Sequence, residues 1–205
     1  HATIRRQRQM CIRDSSAINR GAKRAFQSIV IEVDGDEAET FPQHTIEAAR
    51  ALSADYIKEQ LIQSGQWTAI KARPFGRVAD PATTPSGLFI TAMDTHPHAP
   101  DPEQVISREA AAFALGQALL AEMVTCQVHL CAAPGSDIPE AGHERVSRHD
   151  FAGPHPAGLP GTHVHFLMGA SSQRIAWTIG YQDVIAVGRL FLDGALYTDR
   201  IISIA

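Results

Sequence analysis

The spacing of hydrophobic and polar positions changes repeatedly along the chain, and each change predicts an element. Gln27-Ser-Ile-Val-Ile-Glu-Val33 is β-branched and predicts a strand, closed by the turn signal Asp34-Gly35. Before it, Asn19-Arg-Gly-Ala-Lys-Arg24 predicts a hairpin turn in which Gly21 supplies positive φ. Ser53 is placed to cap a helix running to Ser64, with Ile57 and Leu61 inward and Gly65 just past its end. Arg73 to Gly87 is rich in Pro, Thr and Gly and predicts a surface loop. Leu88-Phe-Ile-Thr-Ala-Met93 is a short apolar strand, and residues 107 to 123 place Phe113, Gly116, Leu119, Leu120 and Met123 on one helical face. A strand over Gln127 to Ala132 follows, then a loop, a Gly/Pro-rich turn and a helix through His163 to Leu167. Ile175 to Ile179 is strand-like, Val184, Val187, Gly188 and Phe191 line a further helix, and Tyr197 to Ile204 returns to strand. Alternation of strand and helix implies an α/β fold with a parallel sheet wrapped by helices.

These elements divide the chain. Residues 17–40 read as the closing hairpin of a small β module, 41–86 as a helix and linker, and 87–205 as the α/β domain. Residues 1–16 have neither apolar periodicity nor a helix cap, and read as a disordered basic tail or as sequence foreign to the gene. The chain starts at His1 and stops just after a strand-like run, as a piece of a longer protein would.

A hydrophobic fraction of 44% with 20% charged residues is that of a folded domain. The formal charge of −4 conceals an asymmetry: residues 1–24 hold seven of the 18 Lys and Arg but one acid, Asp14. The acidic remainder argues against nucleic acid as a partner. No run reaches the ~18 apolar residues of a membrane helix, the best candidate, Ala110 to Val124, being interrupted by Gln117 and Glu122. Cys11, Cys126 and Cys131 form no framework; Cys126 and Cys131 would face opposite sides of one strand, so buried free thiols are expected.

Candidate chemistry concentrates in Phe151 to Phe166, FAGPHPAGLPGTHVHF, with three glycines, three prolines and three histidines. His163-x-His165 offers imidazoles to zinc, but on a helix these positions point about 200° apart. His96-x-His98 beside Asp94 repeats the spacing inside a proline-rich loop. Gly153, Gly158 and Gly161 would let a phosphate approach the backbone, and Thr162 is placed to cap a helix with free amides. Against that, the three prolines remove donors and the Walker lysine is missing. A rigid turn, whose histidines merely satisfy hydrogen bonds, is the competing reading. The chain carries no carboxylate dyad, nucleophile elbow or redox Cys pair, so no catalytic residue is assigned.

Gly153 to Leu167, together with Tyr181-Gln-Asp-Val-Ile-Ala186, Leu190-Phe191, Gly194 and Leu196-Tyr-Thr-Asp-Arg200, resembles the NqrA family of the bacterial Na⁺-translocating NADH:quinone reductase. Asn19 to Arg24, Ser64-Gly-Gln-Trp-Thr68, Arg73-Pro-Phe75 and Thr91-Ala-Met-Asp-Thr95 match in the same order, so the likeness runs from about Ala17 to the last residue. Met168-Gly169 departs from an acidic residue and proline, and Gly180 from an asparagine.

The resemblance implies a parallel-sheet, Rossmann-like core similar to the flavin-binding subunit of complex I and to the RnfC protein of the Rnf complex, preceded by the end of a biotinyl/lipoyl-like β module. It implies a peripheral subunit on the cytoplasmic face of the bacterial inner membrane, partnered by the membrane subunits of a sodium pump. That complex uses NADH, FMN, FAD, a 2Fe–2S centre and ubiquinone, with no cofactor held covalently by this chain and no metal. The loop would then be a remodelled nucleotide loop, and Phe151, Gly153, His155, Gly158, Leu159, Gly161, Thr162, His163 and Phe166 its candidate cofactor- or quinone-contacting residues. Two alternatives stand beside it: an FMN-dependent electron carrier of the Rnf type, and a zinc hydrolase using His155, His163 and His165.

Overall fold

The computed structural model describes residues 15–31 and 39–204. Cys11, Val33 and the Asp34-Gly35 turn lie outside these residues, as does most of the basic opening. The chain forms two compact units divided after Glu39.

In the first unit, strands β1 (Ser15–Arg20) and β2 (Phe26–Ile31) form an antiparallel hairpin with Ile18 opposite Ile29. The turn differs from expectation. Gly21 has φ −90°, and the left-handed residues are Lys23 (φ 55°) and Arg24 (φ 61°). The chain makes a short 3₁₀ turn over Ala22–Arg24, closed by the Gly21 N–H on the Ala25 carbonyl at 2.8 Å, so the reversal falls after the glycine.

The second unit is built on a six-stranded sheet. Its strands are β3 (Lys71–Arg73), β4 (Arg77–Val78), β5 (Gly87–Ala92), β6 (Val128–Ala132), β7 (Val146–Asp150) and β8 (Ala176–Gly180), in the order β4-β3-β8-β5-β6-β7. Strands β8, β5, β6 and β7 are parallel, and β3 and β4 add an antiparallel ribbon on one edge. β3 meets the start of the loop predicted over Arg73 to Gly87 and β4 falls inside it, contrary to expectation; two or three residues are too few to show a period. The run Tyr197–Ile204 forms no strand. Its backbone partner is a side chain: Gln182 donates to the Ile201 carbonyl at 3.0 Å and accepts from the Ile201 N–H at 2.9 Å.

Alternation along β5 divides the core. Leu88 and Ile90 face the larger layer, with α1 (Ile46–Arg50), α2 (Ala54–Gln63), α3 (Pro102–Arg108), α4 (Ala110–Met123) and α6 (Tyr181–Asp193) contributing to it. Phe89 faces the smaller layer, where Val164 of α5 (Pro160–Leu167) packs with Cys131 and Ala176. Burial on both faces is why β5 reads as a nearly continuous apolar run, interrupted only by Thr91. The stretch 41–86 belongs to the same core: Ala49, Ile57, Leu61, Trp67 and Ile70 are buried in it. Ser53 caps α2 by accepting from the Tyr56 N–H, and Gly65 takes φ 79° beyond it.

The layer is tied together where α4 meets α6. A Cβ on Gly116 would strike the Val184 carbonyl, and one on Gly188 would strike the Ala112 carbonyl and lie 2.7 Å from its carbon. Each helix thus gives the other a glycine to approach. Arg189 of α6 adds a two-pronged ion pair with Glu109 at the head of α4, at 2.7 and 2.9 Å. Because the obstructing atoms are backbone, neither helix can yield locally. Gly188→Ala is expected to destabilise the protein by about 3 kcal/mol, or roughly 6–12 °C in Tm. A melting temperature within about 2 °C of wild type would show that the crossing tolerates a methyl group.

Candidate functional site

Open α/β sheets bind ligands beyond the carboxyl ends of their strands. Here the loops leaving β5, β6 and β7 surround a hollow of about 520 Å³ there. Met93, Ile138 and Phe151 give it apolar wall; Asp94, Asp101 and Glu103 give it acids, with no Lys or Arg in its lining. A second hollow of about 290 Å³ lies at the ends of β5 and β8 and is lined by Lys71, Arg73, Thr91 and Tyr181 among others. The sequence offers Asp94 only as a companion of His96 and His98, and does not single out Asp101, Glu103, Arg73 or Thr91 as site residues. Their position at strand ends was the one signal available, and it depends on knowing which strands are parallel.

The Gly/Pro segment is fastened to the loop after β5. The Gly158 N–H donates to Thr95 Oγ1 at 3.0 Å, and the same hydroxyl meets His155 Nδ1 at 3.2 Å. The His155 and His96 rings lie 5.0 Å apart. A Cβ on Gly158 would come within 2.6 Å of the Thr95 nitrogen, so this glycine serves an approach between two protein loops. Gly153 takes φ +130°, a conformation few other residues tolerate. Nothing in the structure explains a glycine at 161, where a Cβ would meet open space.

Backbone donors of this segment are largely committed. Ala157 N–H binds the Pro154 carbonyl at 2.9 Å, Leu159 the Pro156 carbonyl at 3.0 Å, and Thr162 the Leu159 carbonyl at 3.0 Å. Pro154, Pro156 and Pro160 have no N–H to offer. Thr162 is not the helix cap: Leu159 holds that position, and the Thr162 hydroxyl donates to the Pro156 carbonyl at 2.8 Å from inside α5.

The candidate residues do not share one surface. His163 is fully buried against Phe151, ring centroids 4.4 Å apart, and its Nε2 lies 2.9 Å from the Ala157 carbonyl, to which it donates. Burial holds its pKa below the usual histidine value, against the smaller opposing effect of that carbonyl. His165 is exposed on the opposite side of α5, as helical geometry requires, and Phe166 is 72% exposed. Leu159 is half-buried and His155 exposed. Phe151 and Gly153 line the larger hollow, and Gly158 the smaller. His155, His163 and His165 therefore do not converge, and the zinc-hydrolase trio is not assembled. Among the described residues no group of three or more His, Cys, Asp or Glu is arranged for a metal ion. His96 does meet Asp94 Oδ1, at 2.6 Å, while His98 is the loop's left-handed residue at φ 61°.

Among the described residues Cys126 and Cys131 are free thiols, although Cys126 is half-buried and precedes β6. Burial pushes the Cys131 thiol up to about 12, far from a reactive thiolate. Beside it, His129 Nδ1 lies 3.0 Å from His149 Nε2, and His129 stacks on Phe89 at 4.6 Å. Burial, and then the neighbouring His149, bring its pKa down to about 4. Among the described residues, no helix is long and apolar enough to cross a membrane.

Comparison with known proteins gives one consistent result. A family model described as the NqrA second alpha/beta domain matches residues 52–196. The chain is 49% identical over 188 residues to the NqrA protein of the Na⁺-translocating NADH-quinone reductase of Shewanella amazonensis, covering 92% of this chain and 42% of that one. The protein of the same name from Pseudomonas aeruginosa is 46% identical over 190 residues (93% and 42%), and that from Glaesserella parasuis 48% over 191 residues (92% and 43%). The chain thus spans less than half the length of these relatives.

The histidines carry a pH prediction. His129 and His163 have folded pKa values below their unfolded value near 6.5, so as pH falls the unfolded chain takes up protons first. The stability they permit is intact above about pH 6.5 and drains as pH falls toward the folded values, about 4 for His129. Urea midpoints measured across that window should fall, and His129→Gln should flatten the decline. Parallel curves for the two proteins would contradict the assignment.

Proposed function

Given that this chain belongs to the family of the NqrA second alpha/beta domain, we propose that it serves in a Na⁺-translocating NADH:quinone reductase as a non-catalytic scaffold that also lends a wall to a quinone site. Family membership over residues 52–196 carries the first half of the reading. The larger hollow supports the second: apolar Met93, Ile138 and Phe151 with polar groups at the rim suit a neutral headgroup such as ubiquinone. Asp94, Asp101 and Glu103, unrelieved by any cation in that lining, would repel the phosphate of a flavin mononucleotide. The Gly/Pro segment is then a remodelled nucleotide loop whose donors have been turned inward. This disfavours an FMN carrier of the Rnf type. Exposed Ile18, Phe26, Ile29 and Val30 on the β1–β2 hairpin are what the end of a larger β module would leave bare.

In this reading the protein is peripheral, docks with membrane subunits on the cytoplasmic face, and leaves NADH oxidation and the flavin and iron–sulfur chemistry to its partners. Affinity capture of the full-length protein from a detergent extract should bring down flavin-bearing membrane proteins in fixed ratio. Its recovery without them would overturn the scaffold. Within that complex, a photoreactive quinone should label residues 93–103 or the segment 151–153, competed by ubiquinone. Labelling confined to other subunits would remove the quinone wall and leave the scaffold standing.

A further inference from the structure

The smaller hollow has a chemistry of its own. It lies on the face of the sheet that α5 covers, with Gly158 and Pro160 over it and Lys71, Arg73 and Thr91 beneath. Thr91 is 8% exposed, and among the described residues its hydroxyl has no hydrogen-bond partner. Arg73 Nε is likewise buried without a partner among the described residues. An unpaired buried donor is costly, and more so when charged, so two at one small cavity point to a ligand that satisfies both.

The sign of that ligand follows from the charges around it. Asp94 meets His96 at 2.6 Å, and Asp183 meets Arg200 at 2.9 Å, so both acids in the lining are engaged. Among the described residues Arg73 makes no ion pair, and Lys71 donates only to the Thr68 carbonyl, at 2.7 Å. Lys71 and Arg73 are two apart on β3 and share a face. The 13-residue helix α6 begins at the same cavity with Gly180 at its cap, and among the described residues no side chain accepts from its first amides. Uncommitted cations, an orphan hydroxyl and a free helix N-terminus all favour a negative oxygen ligand. About 290 Å³ lies below the range of drug-sized pockets, which suits a small group.

We propose that the cavity at the ends of β5 and β8 is a binding site for a small oxyanion, a phosphate or phosphomonoester group, held by Arg73, Lys71, Thr91 and the first turn of α6. Met93 and Asp94 line both hollows, but Arg73, Lys71, Thr91 and the first turn of α6 are not among the residues assigned above to the quinone wall, and the proposal stands or falls separately from that reading.

Inorganic phosphate titrated into the full-length protein at ionic strength held constant with sodium chloride should raise Tm along a saturation curve. Phenyl phosphate titrated in parallel separates the two sources: tighter binding of the ester assigns a phosphomonoester, and equal or tighter binding of the inorganic ion assigns free phosphate. Arg73→Gln should weaken the tighter of the two by about tenfold or more, while Arg77→Gln, an exposed arginine on the adjacent β4, leaves it unchanged. If Arg73→Gln does not fold, the near-isosteric Thr91→Val decides, with a loss of at least about threefold expected. A wild-type Tm indifferent to both anions, or equal affinities for wild type and the site variants, would overturn the proposal.

Discussion

Two helices pass so closely that each must present glycine to the other's backbone, and the rest of the α/β unit is arranged around that crossing. Gly116 faces the Val184 carbonyl and Gly188 the Ala112 carbonyl, a reciprocity no side-chain repacking can imitate. Glu109 and Arg189 fix the sliding of one helix along the other. Because α6 starts directly from β8 and α4 follows β5 through α3, this contact bears on how those two strands end. The two hollows at those ends therefore inherit their shape from a junction elsewhere in the layer. An α4 that is buried almost all round, even at Gln117, follows from the same constraint.

The opposite face of the sheet is thinner and holds the Gly/Pro segment. Its glycines and prolines suggest a cradle for a phosphate, yet the backbone is spent on the protein itself. Gly158 admits the loop after β5, Thr95 accepts its amide, and Ala157 and Leu159 bind the carbonyls of Pro154 and Pro156. His163, the one histidine of the segment that is buried, donates to Ala157 and so clamps the loop to its own helix. A segment built this way positions neighbouring surfaces.

Much of this was legible in the sequence because it rests on local rules. Ser53, Gly65 and the apolar face of α2 obey capping and periodicity, and Gly188 and Phe191 fall on the predicted face of α6. The opposed directions of His163 and His165 follow from 3.6 residues per turn alone. What escaped was decided by partners distant in sequence. Tyr197–Ile204 looks like a strand but meets a glutamine side chain in place of a neighbouring strand. Thr162 resembles a cap, yet its hydroxyl bonds the Pro156 carbonyl from within the helix. Lys23 and Arg24, not Gly21, take the left-handed turn because the hairpin closes four residues after the glycine. The cavity residues Arg73, Thr91 and Asp94 belong to separate strands and loops, and only the strand order brings them together.

If the α4–α6 crossing sets the geometry of the strand ends, loosening it must be felt there. Hydrogen–deuterium exchange on the full-length protein and its Gly116→Ala variant tests this most directly. The account predicts that amides of α6, of β5 and of the loop after β5 lose protection together, as one cooperative unit. Faster exchange confined to the residues around position 116, with residues 91–96 and 180–183 unaltered, would contradict it.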